Sequence, residues 1–92
     1  MHADADKRVG FVGILVEDRE RSAAAVNAAI SEMAHILVAR VGIPYRERNL
    51  SVITLVVDAT TDEVGALTGR LGRIPGVSVK SGLARPAGCA SA

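Results

Sequence analysis

The sequence predicts an α+β fold: a ferredoxin-like βαββαβ sandwich, a four-stranded antiparallel sheet with two helices on one face. Three observations predict it. Short apolar runs alternate with two helical patterns in the order strand, helix, strand, strand, helix, strand. Each helical pattern opens on a capping signal, Asp18 before the first and Thr60 with Glu63 before the second. The two βαβ halves are joined by a polar, Pro-containing stretch, which suits the split βαβ arrangement.

The elements follow in order. Val9 to Val16 (VGFVGILV) is too short for a typical helix and reads as a strand apolar on both faces. Arg19 to about Ala34 is rich in Ala, the best helix former, with Ala23, Val26, Ala29, Ile30, Met33 and Ala34 on one stripe. His35 to Val41 reads as the second strand, and Gly42 to Asn49, with its Pro, as a loop. Leu50 to Asp58 (LSVITLVVD) is the clearest strand. Val64, Leu67, Leu71 and Ile74 then recur at helical spacing after the Thr60–Glu63 capping box. Pro75-Gly76 marks a turn, and Val77 to Ser81 alternates as a half-exposed edge strand does. Residues 1–6 and 84–92 lack periodicity and are expected to be disordered, which leaves 7–83 as the domain.

Right-handed crossovers place both helices on one sheet face, with strands one and three central and strands two and four at the edges. The central strands then present an excess of apolar side chains. Strand one offers Val9, Phe11 and Leu15 to one face and Val12, Ile14 and Val16 to the other. Strand three offers Leu50, Val52 and Val56 against Ile53, Leu55 and Val57. Two helices cover one set; the other exceeds what a monomer commonly exposes. Self-association into a dimer or tetramer, by sheet faces or edges, is the economical cover. Val12, Ile14 and Val16 with Val52 and Val56 are the interface candidates. A tail folded over the sheet is the plainer alternative.

Composition excludes several function classes. The chain has 92 residues, a single-domain length, and is 49% apolar and 23% charged with a net charge of +1. Only 2% is aromatic, Phe11 and Tyr45, so stacking platforms for single strands and cation cages are not expected. The near-neutral balance argues against bulk capture of nucleic acid or a membrane surface. No apolar run has the roughly 18 residues of a membrane span, and the acidic start does not resemble a secretory signal. A single Cys excludes an intramolecular disulfide. A cytoplasmic protein is expected.

Catalytic chemistry finds little support. No His pair stands at metal-ligand spacing, and Gly10-Phe11-Val12-Gly13 lies inside a strand rather than between strand and helix, so it is no phosphate loop. Cys89 stands in the tail, where nothing orients a base against it. His2, His35 and Cys89 are the only soft or imidazole ligands, two of them at the ends. No metal, cofactor or catalytic residue is therefore assigned. The loop from Ile43 to Asn49 is the most distinctive stretch. It holds Tyr45, with Arg46 and Arg48 flanking Glu47, and paired guanidinium groups suit a carboxylate or phosphate. Tyr45, Arg46 and Arg48 are the candidates for a small anionic ligand or a protein partner; the plain reading is a solvated hairpin with an internal ion pair. Charge is uneven: residues 1–63 carry seven Lys/Arg and ten Asp/Glu, whereas residues 64–92 carry Arg70, Arg73, Lys80 and Arg85 and no acid. Arg70 and Arg73 suit a helix C-terminus, and four charges without aromatics are a weak signal for DNA.

The segments RVGFVGILVEDRE, RVGIPYRERNLSVITLVVDA and GALTGRLGRIPGVSVKS resemble the family of iron-only hydrogenase system regulators. That ferredoxin-like family is related to the C-terminal domain of nickel-responsive regulators and to ACT domains. The resemblance covers roughly residues 7–83. It implies a small oligomeric regulatory module linked to a hydrogenase system. Nickel-responsive regulators add a DNA-binding ribbon-helix-helix segment and several His with a Cys for nickel. This sequence has about eight residues before the first strand and one His in its ordered part, so neither property is carried over. ACT domains often have glycines in the turn after the first strand; here it is Glu17-Asp18-Arg19, which argues against an amino-acid site there. The reading is therefore a homo-oligomeric regulatory or ligand-binding module, not an enzyme. One alternative is an accessory enzyme or metal-handling protein using His35 and the loop arginines at a subunit interface. A weaker one is a DNA-binding regulator acting through the basic C-terminal third.

Overall fold

A computed structural model describes residues 7–85. Strand β1 spans Arg8–Val16, helix α1 Arg19–Glu32, strand β2 Leu37–Tyr45, strand β3 Leu50–Ala59, helix α2 Thr61–Gly72 and strand β4 Val77–Leu83. The sheet order is β2-β3-β1-β4 and every pairing is antiparallel, so the expected ferredoxin-like βαββαβ architecture is the one observed.

Local chemistry sets the helix ends. The Asp18 carboxylate accepts from the Arg21 N–H at 3.2 Å and caps α1. At α2, Thr60 Oγ1 accepts from the Glu63 N–H at 3.1 Å, while Glu63 Oε1 accepts from the Thr60 N–H at 2.9 Å. Two of the helix's unpaired donors are thereby satisfied reciprocally. α1 ends at Met33, and a 3-10 turn over Ala34–Ile36 tucks Ile36 into the core. His35 thus sits in this turn, before the strand rather than in it.

Helices and sheet bury a single aliphatic layer. Val12, Ile14 and Val16 of β1 and Leu55, Val57 and Ala59 of β3 meet Val26, Ala29 and Ile30 of α1 and Val64, Leu67 and Leu71 of α2. Burying such side chains contributes roughly 1.5–3 kcal/mol each before the ordering entropy is subtracted. The buried Ser22 hydroxyl donates to the Pro75 carbonyl at 2.7 Å, which ties α1 to the turn before β4. Gly76 in that turn has φ +76, a left-handed conformation that favours glycine, and its carbonyl accepts from the Glu17 N–H at 2.8 Å.

Other sequence expectations change as well. β2 runs through Pro44 to Tyr45 instead of ending at Val41, and the connection shrinks to Arg46–Asn49. Pro44 is tolerated because β2 is an edge strand. Asn49 closes the hairpin with φ 56, its N–H donating to the Arg46 carbonyl at 3.1 Å. Val12, Ile14 and Val16 are covered by the helices and leave no side-chain surface for a second subunit. Finally, pairing continues one residue past Leu83: the Ala84 N–H donates to the Val9 carbonyl at 2.8 Å. The rest of the expected tail beyond Arg85, with Cys89, and the expected N-terminal segment with His2 lie outside the described residues.

Candidate functional site

Period-2 alternation puts two-residue steps on one face, and the strand register shows which residues meet. Leu15 pairs with Val52, Gly13 with Thr54 and Phe11 with Val56; on the other side Val41 pairs with Thr54 and Ile43 with Val52. None of these belongs to the buried core beneath the helices. On this open face Val9, Phe11, Leu15, Val41, Ile43 and Tyr45 are each 43–57% exposed. Val52 and Val56, two of the interface candidates, lie at its centre and are half-buried by their neighbours. Val9, Phe11 and Leu15 stand where Val12, Ile14 and Val16 were expected. Phe11 lies over Gly82 of β4, where a Cβ would come within 2.7 Å of its ring. Among the paired strand residues of this face, the charged ones are Asp58 on β3 and Lys80 on β4.

The loop candidates separate. Tyr45 belongs to the rim of the open face, paired with Leu50. Arg46 lines a shallow cleft of about 530 Å³ with Asp18, Arg19, Glu20, Pro44 and Asn49. Arg48 is exposed in the 3-10 turn. Among the described residues, neither arginine is paired with Glu47. A second cleft of about 260 Å³ opens between α1 and β2, near Arg19 and Arg40, which lie 21 positions apart and were not singled out by the sequence.

His35 does not join the loop arginines within the chain. It sits before β2 and they sit after it, so a nine-residue strand, roughly 30 Å long, separates them. Its Nε2 lies 3.4 Å from Glu63 Oε2, long for a hydrogen bond. The Thr60 N–H holds the Glu63 carboxyl below its ordinary range, burial opposes this, and His35 and the Thr60 hydroxyl add to the lowering. Among the described residues no three His, Cys, Asp or Glu side chains converge as a metal site. No helix among them is long and apolar enough to cross a membrane. The basic residues of the C-terminal third do not share one surface: Arg70 pairs with Glu32 of α1 in the helix layer, whereas Lys80 stands on the open face. The turn after β1 is closed by the Asp18 cap, which places a carboxylate at the helix N-terminus.

Comparison with known proteins agrees with this architecture. A protein of Thermotoga maritima, TM1266, superposes with a TM-score of 0.82 at 40% identity, over 86% of this chain and 99% of that one. The C-terminal domain of the MgtC protein from Mycobacterium tuberculosis gives a TM-score of 0.68 at 16% identity, over 96% and 98% of the two chains. SnoaB, a cofactor-independent oxygenase from Streptomyces nogalater, gives 0.56 at 14% identity over 86% and 92%. The last two show a shared fold alone. Among curated proteins there is no significant match. The sequence profile of the TM1266-like iron-only hydrogenase system regulators matches residues 8–81. The chain belongs to that family.

Proposed function

We propose that this chain is a homo-oligomeric regulatory module of an iron-only hydrogenase system, cytoplasmic and without a catalytic centre of its own. The observation that carries the oligomer is the open sheet face, whose aromatic and aliphatic side chains are half exposed at its centre. A second copy is the occupant that its charge pattern fits. Asp58 and Lys80 make the face self-complementary, because a two-fold axis lying between them sets each opposite the other's copy. Pairing through the β2 edge is disfavoured by the irregularity between Leu37 and Ala39 and by Pro44. Arg46 and Arg48, beside the rim residue Tyr45, are the loop's candidate contacts for a small anion or an acidic protein partner.

A charge swap tests the interface. Asp58→Lys or Lys80→Asp alone places like charges across the two-fold and is expected to weaken association about tenfold. The double variant is expected to restore it. Sedimentation equilibrium reads all three, and single variants that associate as the wild type does would overturn the stacked-face arrangement. For the regulatory part, loss of the chain in its host is expected to change the level of active hydrogenase; an unchanged level contradicts it.

A further inference from the structure

We infer that the cleft between α1 and β2 binds a small aliphatic carboxylate. The inference deepens the ligand-binding side of the proposed function, and its test reads out independently of the oligomer.

The cleft exists because β2 reaches further than α1 can cover. Every residue of β2 after Leu37 is exposed, although Arg40 and Gly42 point to the helix side in register with Leu55 and Ile53. The floor is aliphatic: Val16 and Val26 are buried, and Ala23 and Ile53 complete it. The lining residues include two cations, Arg19 and Arg40, and no carboxylate. Arg40 is held in place by Asn27, whose Oδ1 accepts from Nη2 at 2.7 Å. A guanidinium has five N–H donors, so this bond leaves others to face a ligand. Arg19 has no such bond among the described residues. Ser51 adds a hydroxyl to the same wall.

These features select a chemistry. A fixed guanidinium beside a second one recognises a carboxylate better than a neutral head group. The apolar floor then favours a body that loses water on entry, at about 0.8 kcal/mol per buried methylene. No aromatic side chain lines the cleft, so a planar base or ring finds nothing to stack on. The volume of about 260 Å³ admits a molecule of short-chain fatty-acid size. Arg19, Ala23, Val26 and Asn27 of α1 wall the cleft, and of the open-face residues named above Ile43 alone lines it.

The test is amide NMR titration of the intact protein with hexanoate, 1-hexanol and inorganic phosphate in turn. Hexanoate is expected to give saturable shifts centred on Arg19, Ala23, Asn27, Arg40, Gly42 and Ser51. Arg40→Gln, and separately Arg19→Gln, are expected to weaken that binding at least tenfold while the dispersion of the spectrum is kept. Both residues are exposed, so either variant serves if the other fails to fold. Hexanol binding as tightly as hexanoate would overturn the role of the arginines. Phosphate binding as tightly would overturn that of the floor, and shifts confined to the open face would overturn the site. A monomeric protein that binds hexanoate in the cleft would refute the oligomer and leave this inference standing.

Discussion

The ring of Phe11 lies across Gly82 on the neighbouring strand, so close that a Cβ there would stand 2.7 Å from Cε1 and 3.0 Å from Cζ. The glycine leaves room, and the ring shields a stretch of edge strand that has no side chain of its own. Gly82→Ala is therefore expected to push the ring outward. The ring is half exposed and can move, so the cost to the fold is expected to stay below about 1 kcal/mol. The same displacement roughens the proposed interface, where an aromatic anchor carries a large share of binding, so association is expected to weaken by about tenfold. Urea unfolding and sedimentation equilibrium on one variant separate the two effects.

Gly10 faces the opposite way and has no such freedom. A Cβ there would collide with the Gly82 carbonyl oxygen and come within 2.6 Å of Leu83 Cδ2 and 3.0 Å of Leu83 Cα. Backbone cannot swing aside as a ring does. Gly10→Ala is expected to destabilise the protein by about 2–4 kcal/mol, read as a lower urea midpoint.

Gly65 and Gly69 supply the contrast. Both lie in α2, and a Cβ at either meets nothing within 4 Å. Ala at each position is expected to stabilise by about 0.5–1 kcal/mol, because it lowers the backbone entropy lost on folding. A lower thermal midpoint in either variant would contradict the open helix surface described here.

Glu63 ties stability to pH. Its folded-state pKa is lowered, chiefly by the Thr60 N–H, so its contribution is fully present above the ordinary carboxylate range. That contribution is lost as pH falls through this range to the lowered folded value. Glu63→Gln keeps an acceptor for the Thr60 N–H but no longer titrates, so its stability is expected to fall less steeply on acidification. Glu63→Ala removes one half of the capping box and is expected to cost about 1 kcal/mol at neutral pH. Unfolding curves across the acid range measure both.

Much of this was legible in the sequence because the caps and periodicities are local signals. Asp18, Thr60 and Glu63 announce their helix starts within three residues. The orientation of the central strands was harder to read, since Val12, Ile14 and Val16 are as apolar as Val9, Phe11 and Leu15. A signal stood in β3: the set containing Val52 and Val56 also holds Thr54 and the charged Asp58, whereas the other set, Ser51, Ile53, Leu55, Val57 and Ala59, has one small hydroxyl and no charge. The wetter set faces away from the helices. β2 hid its length because Pro44 reads as a loop residue, and its irregularity after Leu37 breaks the alternation that a period-2 reading relies on. The Arg19–Arg40 cleft left no local trace, since only the packing of α1 beside an edge strand brings those residues together.

The open face as subunit interface is tested most directly by the mass of the protein in solution, measured by light scattering at micromolar concentration. The wild type is expected at two or four times 9.5 kDa. Phe11→Lys, which puts a charge at the centre of the face without touching the core, is expected at the monomer mass with its fold intact. A wild type that scatters as a single 9.5 kDa chain would contradict the interface.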